Sequence, residues 1–131
     1  MIQRIQSVYL LLAAIICVAF LFVPAGSNVS GDIIPEQNSI SAALSIATAF
    51  LSLAAIFLFK NRKLQLRICF ICIALLLVTM ANVYSTITKP EGEHSISYFF
   101  ATPLVAAILF FLASRAIRKD EELVKSMERF R

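Results

Sequence analysis

The stretch "SISAALSIATAFLSLAAIFLF", residues 39–59, decides how this chain folds. Its 21 residues include no Asp, Glu, Lys, Arg or His. A helix on the surface of a soluble protein needs one apolar stripe and one polar face, and this run offers no such division. At about 1.5 Å per residue a helix of this length reaches roughly 30 Å, the thickness of a bilayer's hydrocarbon core. Inside lipid every backbone N–H and C=O must be satisfied within the chain, so a non-alternating apolar run crosses as a helix.

Working outward, residues 7–23, 68–87 and 98–114 repeat the pattern: each is apolar and lacks charge and histidine throughout. Over the 131 residues, 60% are apolar and 15% charged, against soluble averages of about 45–50% and about 25%. The expected fold is therefore an all-α membrane protein: one membrane domain, residues 1–131, built as a bundle of four transmembrane helices with a tail at 115–131. The first block also has the outline of a secretory signal, with Arg4 before it and Val23-Pro24-Ala25 ahead of Gly26. Its apolar stretch is longer than the usual core of about 7–15 residues, which favours a span. Cys17 lacks the small neighbour that a lipoprotein site would need.

Charge orients the bundle. Eleven of the twelve Lys and Arg residues fall at Arg4, in residues 60–67 and in the tail; the connections at 24–38 and 88–97 hold only Lys89, with Asp32, Glu36, Glu91 and Glu93. Because cationic loops stay in the cytoplasm, both termini are expected there. The net charge of +4 is then a matter of topology. No basic segment alternates with aromatics as nucleic-acid binding would require. The connection 24–38 is rich in Gly, Pro, Ser and Asn and reads as a turn. In 88–97, Pro90 and Gly92 turn the chain, and Ser95 or Ser97 can cap the fourth helix.

Groups that could carry chemistry are few. Cys69 and Cys72 form a CxxC, but four-coordinate zinc needs two more ligands, and Cys17 and His94 are expected too far toward the opposite face. The thiols read as small apolar packing residues. His94 reads as a solvated loop residue. Proton relays, antiporters and voltage sensors carry ionisable groups at membrane depth, and these spans have none. Ser45, Ser52 and Thr79 have no activating base within the spans. Neither an enzyme nor a cofactor-binding protein is expected.

The spans do carry small and weakly polar residues at helical spacing. Ser41, Ser45, Thr48, Ser52 and Ala55 follow steps of 4, 3, 4 and 3; Ala74, Val78, Ala81 and Ser85 follow steps of 4, 3 and 4. Such seams let helices approach closely and bond across the contact. If the second and third spans pair as a hairpin, Ser52 sits level with Ala74 and Ser41 with Ser85. Thr79, Asn82 and Thr86 make the most polar buried group, read as interhelical glue or, alternatively, as the lining of an uncharged pore, carrier or lipid site. Tyr9 at one boundary, and Tyr84, Tyr98, Phe99 and Phe100 at the other, are placed as an interfacial belt.

The tail is polar but patterned. On a helical wheel of about 100° per residue, Ile117, Leu123, Val124, Met127 and Phe130 share one arc, interrupted by Asp120 and Arg131. Glu121 can pair with Lys125, and Arg118 with Glu121 or Glu122. An amphipathic cytoplasmic helix is expected, with the apolar arc as a docking face.

The opening "MIQRIQSVYLLLAAI" and the closing "RAIRKDEELVKSMERFR", with four spans between, resemble a family of four-span membrane proteins known from Bacteroidetes and catalogued as a domain of unknown function. The likeness covers the whole length. It implies a bacterial inner-membrane location and brings no activity or site residue with it. Together these readings lead to the expectation of an accessory or structural subunit in contact with the bilayer and with a membrane-protein partner or a second copy.

Overall fold

In a computed structural model the placement of residues 2–23, 26–28, 31–33, 39–58, 60–88 and 95–129 is described. Four helices account for nearly all of it: α1 (Ile2–Phe22), α2 (Ser39–Phe57), α3 (Arg62–Thr88) and α4 (Thr102–Arg129). Each is long and apolar enough to cross a membrane. α1 packs on α2 and α4, and α3 packs on α2 and α4, so the four close into a ring with α1 and α3 diagonal. Leu10, Ala13, Cys17 and Phe20 are buried within the bundle, which makes the first block one of its walls.

The packing is that of a protein solvated by lipid. α2 buries Ser41, Ser45, Thr48, Ala49, Ser52 and Ala55, while Ile46, Phe50, Leu53 and Phe57 stand on its outside. Lipid tails are as apolar as leucine, so bulk gains nothing by turning inward; small residues gain close van der Waals approach. The room left by Ala13, Ala49, Ala55, Ala106 and Ala113 is filled by Leu10, Leu76, Phe110 and Ile117, all in one core cluster.

α3 turns a different face inward from the one its small residues suggest. Ala74, Val78 and Ala81 are exposed and Ser85 is half-buried; the buried set is Gln65, Cys69, Cys72, Leu76, Thr79, Val83 and Ile87. The hairpin level is also shifted by about a turn, since Ser41 Oγ bonds Asn82 Oδ1 at 3.1 Å rather than standing beside Ser85. Cys17 is buried in the same core cluster as Cys69 and Cys72. Among the described residues no group of His, Cys, Asp or Glu is arranged to hold a metal, and all three thiols are free and buried.

At the end of the bundle away from the termini the connections meet in a small antiparallel sheet, β1 (Gly26–Asn28), β2 (Gly31–Ile33) and β3 (Ser95–Ile96), in the order β2-β1-β3. β1 pairs Gly26 with Ile33 on one side and with Ile96 on the other. The sheet therefore ties the α1–α2 connection to the α3–α4 connection. Beneath it Phe20, Val83 and Ile87 form a second cluster with Phe100. A Cβ at Gly26 would stand 2.7 Å from the Ser95 carbonyl oxygen and 2.8 Å from Ile87 Cδ1, so only glycine lets β1 lie this close. Ser97 caps a 3-10 turn (Tyr98–Ala101), its Oγ accepting from Phe99 N at 3.4 Å. α4 follows with Pro103 in its first turn, where little ladder bonding is lost.

Candidate functional site

The five small positions expected on α2 are all buried, but they serve two neighbours. Ser52 Oγ donates to the Leu10 carbonyl of α1 at 2.6 Å, and Ser41 Oγ reaches Asn82 of α3 at 3.1 Å. Thr48 Oγ1 instead donates to Leu44 O within its own helix at 2.7 Å. Ser45 Oγ is buried without a hydrogen-bond partner.

Thr79, Asn82 and Thr86 follow the same division. Thr79 Oγ1 donates to Leu75 O at 2.8 Å and Thr86 Oγ1 to Asn82 O at 2.9 Å. Hydroxyls turned back onto their own helix satisfy themselves without a ligand. Thr79 is fully buried, and Asn82 and Thr86 are half-buried. The three share a helix, and Asn82 bonds Ser41 across the bundle.

The end of the bundle that carries the basic residues is more elaborate than its sequence suggests. α3 begins at Arg62, so the segment that reads as a loop is helical. Its Gln65 is buried, as is Gln6 of α1. Gln6 Nε2 and Gln65 Oε1 lack hydrogen-bond partners. Arg62 and Asp120 form an ion pair from α3 to α4, Nη2 to Oδ2 at 3.3 Å; Oδ2 makes no aligned hydrogen bond, so the contact is one of charge. The Arg118 guanidinium stands 5.4 Å over the Phe70 ring, a cation–π contact in place of the pairing expected with Glu121 or Glu122. Sequence spacing could not have shown these links, because they join residues more than forty positions apart.

The tail is the continuation of α4 without a break. Its Glu121 and Lys125 pair at 3.4 Å. Of the expected docking face, Ile117 is fully buried in the bundle core and is removed from that face, since the other helices already cover it. Leu123, Val124 and Met127 are exposed at 46%, 37% and 74%. Phe130 and His94 lie outside the described residues.

Four apolar helices closed into a ring define a multi-pass helical membrane protein. The chain belongs to a family described as a domain of unknown function (DUF4293), whose profile matches residues 2–41 and 31–130. No curated protein and no solved structure matches it.

Proposed function

We propose that this protein is a non-enzymatic accessory or structural subunit of a bacterial inner membrane, with both termini in the cytoplasm, which docks a partner membrane protein through the end of α4. One observation carries this reading. The inward stripe of α4, Pro103, Ala106, Phe110, Ala113, Ser114 and Ile117, continues through Asp120 and Glu121, both partly buried, to Val124 and Met127. The stripe outlasts its neighbours. A 28-residue helix is about 42 Å long at about 1.5 Å per residue, some 12 Å more than the hydrocarbon core. Apolar side chains at the level of water carry about 1.5–3 kcal/mol each toward burial. The flanking charges are mixed in sign, which suits a specific protein partner better than general attraction to a surface.

The test is purification in mild detergent of the wild-type protein and of Leu123→Asp with Met127→Asp. The wild type should carry a stoichiometric partner, and the variant should insert normally and lose it. A variant that retains every partner at wild-type yield overturns the docking role, and a wild type that recovers only copies of itself makes self-association the function of the face.

A further inference from the structure

α1 and α4 do not close completely at the basic end. Between them lies a groove of about 260 Å³ lined by Ile5, Tyr9, Leu112, Arg115, Ala116 and Lys119. Toward the middle of the two helices its lining is Leu112 on α4 and Tyr9 on α1, and toward the chain ends it is Ala116 and Ile5. Tyr9, an amphipathic ring of the kind that sits at headgroup level, is half-buried beside them.

Charge enters at one end only. Arg115 is the first cation after the apolar block of α4, and Lys119 follows one turn later. Both are exposed. Three other cations at this end have partners, Arg62 with Asp120, Lys125 with Glu121, and Arg118 with the Phe70 ring, while Lys63 and Arg67 stand exposed on α3 away from the groove. No carboxylate among the described residues is in ion-pair contact with Arg115 or Lys119. Like charges one turn apart on a helix repel, and an anion held between them relieves that repulsion. The groove thus places two cations just past the apolar block of α4, the first of them one turn from Leu112 inside that block.

We propose that this groove is a binding site for one anionic phospholipid, its phosphodiester held between Arg115 and Lys119 and an acyl chain running past Tyr9 along Leu112. Basic pockets beside transmembrane helices hold anionic headgroups in this way. An acidic protein segment is the less suitable occupant, because the groove reaches Tyr9 and Leu112, which lie within the apolar spans. The site is separate from the exposed end of α4 and does not depend on what docks there.

The experiment uses the full chain in vesicles of phosphatidylcholine containing a minority of spin-labelled phosphatidylglycerol or spin-labelled phosphatidylcholine. The wild type should immobilise the anionic lipid preferentially. Arg115→Gln with Lys119→Gln should weaken that preference by roughly thirtyfold, the order expected for two cations at a headgroup. Lys63→Gln with Arg67→Gln removes two exposed cations at the same spacing and the same end, on α3, and should leave most of the preference intact. Leu112→Trp, which fills the groove and keeps both charges, should release the lipid, and glycerol phosphate should fail to compete. Equal immobilisation of the two lipids by the wild type overturns the site. Equal losses in the two charge variants overturn it as well, as they reduce the effect to general surface charge, and full competition by glycerol phosphate would show a soluble phosphate site instead.

Discussion

Ser45 and Ser52 stand two turns apart on one face of α2 and are equally buried, yet they stabilise the protein to different degrees. Ser52 bonds the Leu10 carbonyl at 2.6 Å, whereas Ser45 Oγ has no partner. A hydroxyl bond between membrane helices contributes about 0.6–2 kcal/mol, while a buried polar atom without a partner carries only its desolvation cost. Ser52→Ala should therefore lower the unfolding free energy in detergent by about 1 kcal/mol, and Ser45→Ala should leave it unchanged or raise it. Ser52→Leu should cost more, about 1–3 kcal/mol, because it also forces bulk into a closed contact. Denaturant titration followed by circular dichroism checks all three; equal losses for both alanine variants would contradict the assignment. The α2 face was legible in the sequence because its polar and small residues repeat with the helical period. Gln6 and Gln65 were not, since a glutamine beside basic residues reads as a loop residue until the helix is seen to start earlier.

The elements show where that legibility ends. α3 is apolar all round, so periodicity alone does not mark its inner side. Its small residues keep the right rhythm at 74, 78, 81 and 85, but the buried positions 72, 76, 79 and 83 are displaced by two. Two residues at about 100° each lie on the opposite side of the helix. What decides the face is the partner: α2 presents serine, threonine and alanine, so α3 supplies Leu76 to fill the space they leave, while Val83 packs with Phe20 and Ile87 beneath the sheet. The sheet was also hidden, being strands of two or three residues in which Gly, Ser, Asn and Asp, residues that spell turns, outnumber the isoleucines. It makes its own prediction through Gly26. With a backbone oxygen 2.7 Å from the added Cβ, Gly26→Ala should part β1 from β3. Amide exchange at residues 26–28 and 95–96 should quicken while the four spans stay protected; unchanged exchange would show that the sheet accommodates the methyl group. At the other end the Arg62–Asp120 pair, with side chains 24% and 14% exposed, joins α3 to the root of the tail. A double-mutant cycle with Arg62→Gln and Asp120→Asn should give a coupling of about 0.2–1 kcal/mol, with faster exchange at residues 118–129 in each single variant. A coupling indistinguishable from zero would reduce the pair to a surface coincidence.

At the scale of the whole molecule the ring of helices is nearly neutral inside and strongly asymmetric at its two ends. One end carries eleven of the twelve Lys and Arg residues and the other carries Lys89 with four carboxylates. In the orientation proposed above this asymmetry is the driving force, because cationic segments resist translocation. The same end holds the Arg62–Asp120 pair, the α4 extension and the α1–α4 groove, so the orientation decides which compartment every proposed contact faces. The three native thiols are buried and should react slowly with a membrane-impermeant maleimide, which gives the wild type a low background. Against it, Ser30→Cys and His94→Cys should label in intact cells. Asn61→Cys and Ser126→Cys, both at exposed positions of the basic end, should label only after permeabilisation. Labelling of Ser126→Cys in intact cells with protection of His94→Cys would invert the protein and place its docking end and its phospholipid groove on the outer side. Labelling of all four in intact cells, with cell integrity verified by a cytoplasmic marker, would mean mixed insertion and leave charge without its orienting role. The expected pattern follows from the arithmetic of eleven against one, since no charge within the spans opposes it.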